Sequence, residues 1–221
     1  MPAGNANKKH ARVVVLISGG GTNLQAIIDA QEAGSLPINI CAVVSNKDHV
    51  GGLTRAEKHG IASIVLDHKL FDTRESFDSR LQDIIDSQAP DIVVLAGFMR
   101  ILTEGFTRHY EGKMINIHPS LLPKYQGLHT HQRVIDAEEK EHGTTVHFVT
   151  AELDGGPPII QAKVPVHKED TADTLAARVL EKEHLIFPQA IKWLAEGKVE
   201  MKSDGAYLNN KKLPLSGFDF S

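Results

Sequence analysis

The sequence predicts an α/β protein, a mostly parallel open sheet that gains an antiparallel extension toward its C-terminus. Short runs rich in Val, Ile and Leu alternate with helix-periodic segments through the first half, as parallel strands joined by right-handed crossovers require. Those runs lack apolar–polar alternation, which marks strands buried on both faces. In the second half two further runs are joined by the turn-rich Asp154-Gly155-Gly156-Pro157-Pro158.

The elements follow in order. The first ten residues, MPAGNANKKH, read as a frayed end. Strands are expected over 12–17, 38–45, 63–66, 91–96 and 113–117. A helix over 22–32 puts Leu24, Ile27 and Ile28 on one face, with Gly34 as its stop. Another over 74–87 aligns Phe77, Leu81, Ile84 and Ile85 ahead of Pro90. Strands over 144–149 and 159–166 precede a long helix over about 171–196. Segments 199–202 and 206–208 flank Ser203-Asp204-Gly205 as a small hairpin. No linker or repeat interrupts the chain, so 1–221 reads as a single domain.

Composition narrows the class. The 221 residues include 24 Lys+Arg and 28 Asp+Glu, a net charge of −4 that gives no bulk attraction to nucleic acid. A lone cysteine, Cys41, allows no internal disulfide and suits a reducing cytoplasm. Apolar runs stop at about five residues, far below the ~20 that span a bilayer.

In an open parallel sheet, ligands bind beyond the carboxyl ends of the strands. The first strand is followed by Ser18-Gly19-Gly20-Gly21-Thr22-Asn23, the fourth by Gly97-Phe98-Met99-Arg100, and the fifth ends in Asn116-Ile117-His118-Pro119. Three glycines ahead of a helix let amides approach a phosphate. No Gly-Lys-Ser/Thr follows, which argues against a P-loop. Leu24 stands where a dinucleotide motif needs its third glycine, and Ser45-Asn46 where it needs an acid, so a phosphate monoester fits better than NAD. The competing reading is a tight turn in which Thr22 or Asn23 caps the helix.

Asn116 and His118, two apart on a strand, share a face. An amide beside an imidazole can stabilise an oxyanion while the ring moves a proton; the same pair could equally finish a strand end. Asp154 sits in a glycine-rich connector, where turn aspartates are common. Twelve histidines invite a metal reading, but no His-Glu-x-x-His occurs, and no metal is expected. His109, His142, His147, His167 and His184 read as ordinary surface or strand residues, Phe98 and Met99 as cleft wall, and Trp193 as packing.

The string NIHPSLLPKYQGLHT over 116–130 resembles the signature of the folate-dependent formyltransferases. The likeness extends to VVVLISGGGTNLQAII, VVLAGFMRIL and EHGTTVHFVTAELDGGPPIIQAKV, and so covers nearly the whole chain. It implies a Rossmann-like formyltransferase fold and formyl transfer from 10-formyltetrahydrofolate to the amine of a glycinamide ribonucleotide. The resemblance casts Asn116, His118 and Asp154 as the catalytic trio, Asp154 favouring the charged imidazole. It assigns Gly21, Thr22 and Asn23 to the ribose phosphate and Glu183 to the glycinamide amine. Folate falls to Arg74, Met99, Arg100, Ile101 and Leu102 with Asn116, and to Thr150, Ala151, Glu152, Leu153 and Asp154. The N-terminal half would then hold the nucleotide phosphate and the C-terminal half complete the folate site. Gly20 replaces the Asn or Ser expected in relatives, which should loosen the loop without removing its amides. Small-molecule partners and a monomer or homodimer complete the expectation.

Overall fold

The computed structural model describes residues 10–221. The frayed start expected of the first ten residues lies, His10 apart, outside them. In chain order the elements are β1 (Ala11–Ile17), α1 (Thr22–Glu32), β2 (Ile38–Ser45), α2 (Gly51–Lys58), β3 (Ser63–Val65) and α3 (Arg74–Ser87). Next come β4 (Ile92–Leu95), α4 (Glu104–His109), β5 (Met114–His118), α5 (Thr130–Asp136), β6 (Glu141–Phe148), β7 (Pro158–Pro165) and α6 (Ala172–Ala195). The chain closes with β8 (Val199–Lys202), β9 (Gly205–Leu208), β10 (Lys211–Lys212) and β11 (Phe218–Asp219).

Eight strands form one sheet in the order β11-β7-β6-β5-β4-β1-β2-β3, and β10-β9-β8 form a small antiparallel sheet. Strands β1 to β5 pair in parallel, whereas β6 runs antiparallel to both β5 and β7. The predicted α/β class with its antiparallel extension is what forms. Burial explains the missing alternation: along β1, Val13, Val15 and Ile17 enter one apolar cluster while Val14 and Leu16 enter the other. Helices α1 and α6 cover the first face through Leu24, Ile27, Ile186 and Phe187, and α3 covers the second through Phe77, Leu81 and Ile85. Trp193 packs on the first cluster, as expected.

Three short helices carry no clear signal in the sequence. α2 opens on Gly51-Gly52, poor helix formers, and α4 and α5 span only 6 and 7 residues, too few to show a periodicity.

Candidate active site

The strand order reverses at β1 and β4, and the crevice opens at their carboxyl ends. Ser18 draws three strand ends together: its hydroxyl donates to Asn46 Oδ1 (2.5 Å) and accepts the Met99 amide (2.8 Å).

At the glycine loop the backbone requires glycine. Gly21 has φ +72°, and a Cβ there would fall 2.6 Å from Gly52 Cα. The capping expectation for Thr22 or Asn23 is overturned: Gly21 occupies the N-cap position of α1 and no side chain caps it. Thr22 points to solvent, and Asn23 is engaged elsewhere, its Nδ2 donating to Glu183 Oε2 at 2.7 Å. Uncapped first-turn amides beside a glycine turn suit an anion. From α2, Arg55 Nε donates to Gly20 O (2.9 Å), setting a cation against the loop. Glu183 lies on α6, and burial pushes its carboxyl up, opposed by hydrogen bonds from Asn23 and Thr144.

A second group gathers at the end of β5. His118 is buried; its Nε2 lies 2.9 Å from the Tyr125 carbonyl and its Nδ1 3.5 Å from Asp154 Oδ2. Both ring nitrogens thus face acceptors. Asp154 adopts φ +51° in the β6–β7 connector, where Gly156 comes so close to Phe148 O that no Cβ could fit. Its Oδ2 also accepts the Gly127 amide (2.9 Å). The aspartate therefore sits in the turn itself while one carboxyl oxygen faces the histidine.

His147 is a strand residue, as expected, but a buried one with a specific partner. It sits opposite Asn116 in the β5–β6 register, at a ladder irregularity, and its Nε2 is 3.1 Å from Asn116 Nδ2. Burial pushes His147 down to about 4, against the opposing pull of the Phe148 carbonyl and Asp154. Only the strand pairing reveals this partner, and a single chain does not state its pairing. His142 is likewise buried, and lies 3.0 Å from His131 Nδ1. Among the described residues no group of three or more His, Cys, Asp or Glu side chains could hold a metal ion.

The residues expected to meet a folate divide. Residues 100–102 and 150–154 line one cavity together with Asn116 and His147. Met99 is 65% exposed and Arg74, the first residue of α3, is also exposed; neither lines that cavity.

The formyl transferase family model matches residues 11–191. The phosphoribosylglycinamide formyltransferase of Escherichia coli is 53% identical over 93% of this chain and 97% of its own length. That of Haemophilus influenzae is 50% identical over 94% and 98%. A phosphoribosylglycinamide formyltransferase structure from Coxiella burnetii superposes with a TM-score of 0.92 at 48% identity, covering 96% of this chain and all of that one.

Proposed function

The chain belongs to the formyl transferase family, and from that membership we propose how its residues divide the work. The reaction moves a formyl group from 10-formyltetrahydrofolate to the amine of 5'-phosphoribosylglycinamide, giving formylglycinamide ribonucleotide in purine biosynthesis. The amine lone pair attacks the formyl carbon, whose carbonyl electrons move onto oxygen. Collapse breaks the bond to the folate nitrogen, and the proton lost by the amine ends on that nitrogen.

The observation that carries the assignment is the meeting of Asn116, His118 and Asp154 at the end of β5, beside the cavity lined by 100–102 and 150–154. Asn116 donates to the developing oxyanion, and His118 supplies and collects the proton with the Asp154 carboxylate beside it. The loop amides of Gly21, Thr22 and Asn23 hold the phosphate, and Glu183 holds the amine end of the nucleotide. Arg100, Ile101 and Leu102 with Thr150, Ala151, Glu152 and Leu153 wall the folate, whereas for Arg74 and Met99, exposed and outside that cavity, the resemblance alone supports a folate contact. No step needs a covalent enzyme intermediate or a metal. The reading carries small-molecule partners, no nucleic acid or membrane, a monomer or homodimer of one domain, and a cytoplasmic setting; no described helix is long and apolar enough to cross a membrane.

Pure protein mixed with 10-formyltetrahydrofolate and the glycinamide ribonucleotide, omitting each in turn, is the test. Folate is consumed only when both are present. Turnover without the amine would make the protein a hydrolase, and none in any mixture a binding module.

A further inference from the structure

Residues 124–128, between β5 and α5, lie as a strap against His118 and Asp154. The Tyr125 carbonyl accepts from His118 Nε2 (2.9 Å), the Gly127 amide donates to Asp154 Oδ2 (2.9 Å), and Gln126 Nε2 donates to the Asp154 carbonyl (3.3 Å). One strap residue thus fixes one nitrogen of the histidine, and the next but one fixes the carboxylate facing the other nitrogen. The strap is not held by its own preferences. Tyr125 has φ +57°, which a bulky side chain adopts only under constraint from its surroundings.

That constraint comes from α5. Arg133 Nη1 donates to Gln126 O (2.7 Å) and Leu128 O (3.3 Å), and its guanidinium lies 5.3 Å from the centre of the Tyr125 ring. One guanidinium nitrogen thus reaches both carbonyls while the planar group lies over the aromatic face, a combination that a lysine's single nitrogen at the end of a flexible stem does not reproduce in place. Arg133 itself is exposed and lines none of the cavity assigned to folate. Glu139 makes a second tie, accepting from Tyr125 OH (3.0 Å) and Lys124 Nζ (2.8 Å).

We propose that Arg133 is a positioning residue for formyl transfer: it clamps the strap so that the Tyr125 carbonyl and Gly127 amide hold His118 and Asp154 in their working geometry. The proposal rests on reading His118 and Asp154 as the reacting pair. Because small displacements of a reacting group cost rate without costing substrate contacts, Arg133→Gln should lower kcat about tenfold while KM for both substrates stays within about twofold. Arg133→Lys keeps the charge but loses the planar group over the Tyr125 ring, so it should recover little of that rate. The His118 Nε2 proton, sheltered by the Tyr125 carbonyl, should give an observable NMR signal in the native protein and broaden by solvent exchange in Arg133→Gln.

An unchanged kcat with the imidazole signal intact, even at a lower melting temperature, would make Arg133 a brace only and overturn the proposal. So would a defect confined to KM. His118→Gln and Asp154→Asn run alongside: if both stay fully active, the catalytic reading fails and takes this one with it. If both are crippled while Arg133→Gln is not, the positioning role alone fails.

Discussion

Asn116 Nδ2 donates to His147 Nε2 across 3.1 Å, and that bond decides which end of the amide faces the cleft. The Nδ1 hydrogen of His147 goes to the Phe148 carbonyl (2.8 Å), and burial keeps the ring neutral near pH 7, so Nε2 can only accept. The amide nitrogen of Asn116 is thereby fixed, with its second hydrogen free for an oxyanion. His147→Phe keeps an aromatic ring but removes the acceptor. Losing an oxyanion donor costs about 10²–10³ in kcat, and a donor left to rotate should cost less, about tenfold. Asn116→Ala in the same background should then add less than it does alone. Fully additive defects in kcat would separate the two residues.

Asp154→Asn isolates charge from shape. Asparagine tolerates the left-handed backbone seen at φ +51°, so the turn should survive and the melting temperature change little. What disappears is the negative charge 3.5 Å from His118 Nδ1. Loss of a working acid–base pair lowers the rate by about 10²–10⁴, so kcat should fall within that range while substrate affinities hold. Near-normal kcat would return Asp154 to the turn.

Much of this was legible because the signals are local. Runs of Val and Ile buried on two faces, a glycine turn before a helix and an Asn-x-His at a strand end each carry their meaning within a few residues. What escaped depends on pairing between distant segments. His147 matters because β6 sets it opposite Asn116, and Asn23, two residues beyond the Gly21 N-cap, is held by Glu183, 160 residues later. Arg133 gave no sign, since its partners are backbone carbonyls in a loop whose path the sequence does not specify.

His142 and His147 should make the protein sensitive to mild acid. Burial holds both down to about 4, whereas the unfolded chain titrates near the ordinary 6.5. Between those values the unfolded state binds more protons. The stability they contribute is therefore complete above pH 6.5 and is lost as pH falls toward 4, at up to ~1.4 kcal/mol per pH unit for each ring. Urea unfolding at pH 7, 6 and 5 measures the slope, and His142→Gln should flatten it. An equal slope in that variant would place the proton uptake elsewhere.

Two of the three loop glycines should respond oppositely. At Gly21 a Cβ would meet Gly52 Cα at 2.6 Å in a left-handed backbone, so Gly21→Val should distort the loop itself and lower stability along with nucleotide affinity. At Gly20 nothing lies within 4 Å of a Cβ and no positive φ is imposed. Gly20→Ser should raise stability by about 0.4–1 kcal/mol, by reducing the freedom of the unfolded chain, and leave nucleotide binding intact. Thermal melts with calorimetry on the nucleotide decide it; a destabilised Gly20→Ser would mean the loop needs glycine there after all.

Glu183 sets stability against binding. Its carboxyl is raised above the ordinary 4.5 because burial disfavours its charge. In the window above 4.5 the native state holds a proton that the unfolded chain has released, so stability falls as pH rises through it. At neutral pH the free protein is therefore less stable than it would be with a neutral group in that place. Glu183→Gln removes that charge while its carbonyl can still accept from Asn23 Nδ2, which donates to Glu183 at 2.7 Å in the native protein. The variant should melt higher than the native protein at pH 7, with the gain vanishing below pH 4.5, where both side chains are neutral. Binding should move the other way. Losing a hydrogen bond from the amine to a charged carboxylate costs about 1.5–3 kcal/mol, which is roughly 10–100-fold in KM for the nucleotide, with KM for the folate unchanged. A variant with native nucleotide KM would leave Glu183 as a structural partner of Asn23, and one that melts lower at pH 7 would mean the Asn23 bond outweighs the buried charge.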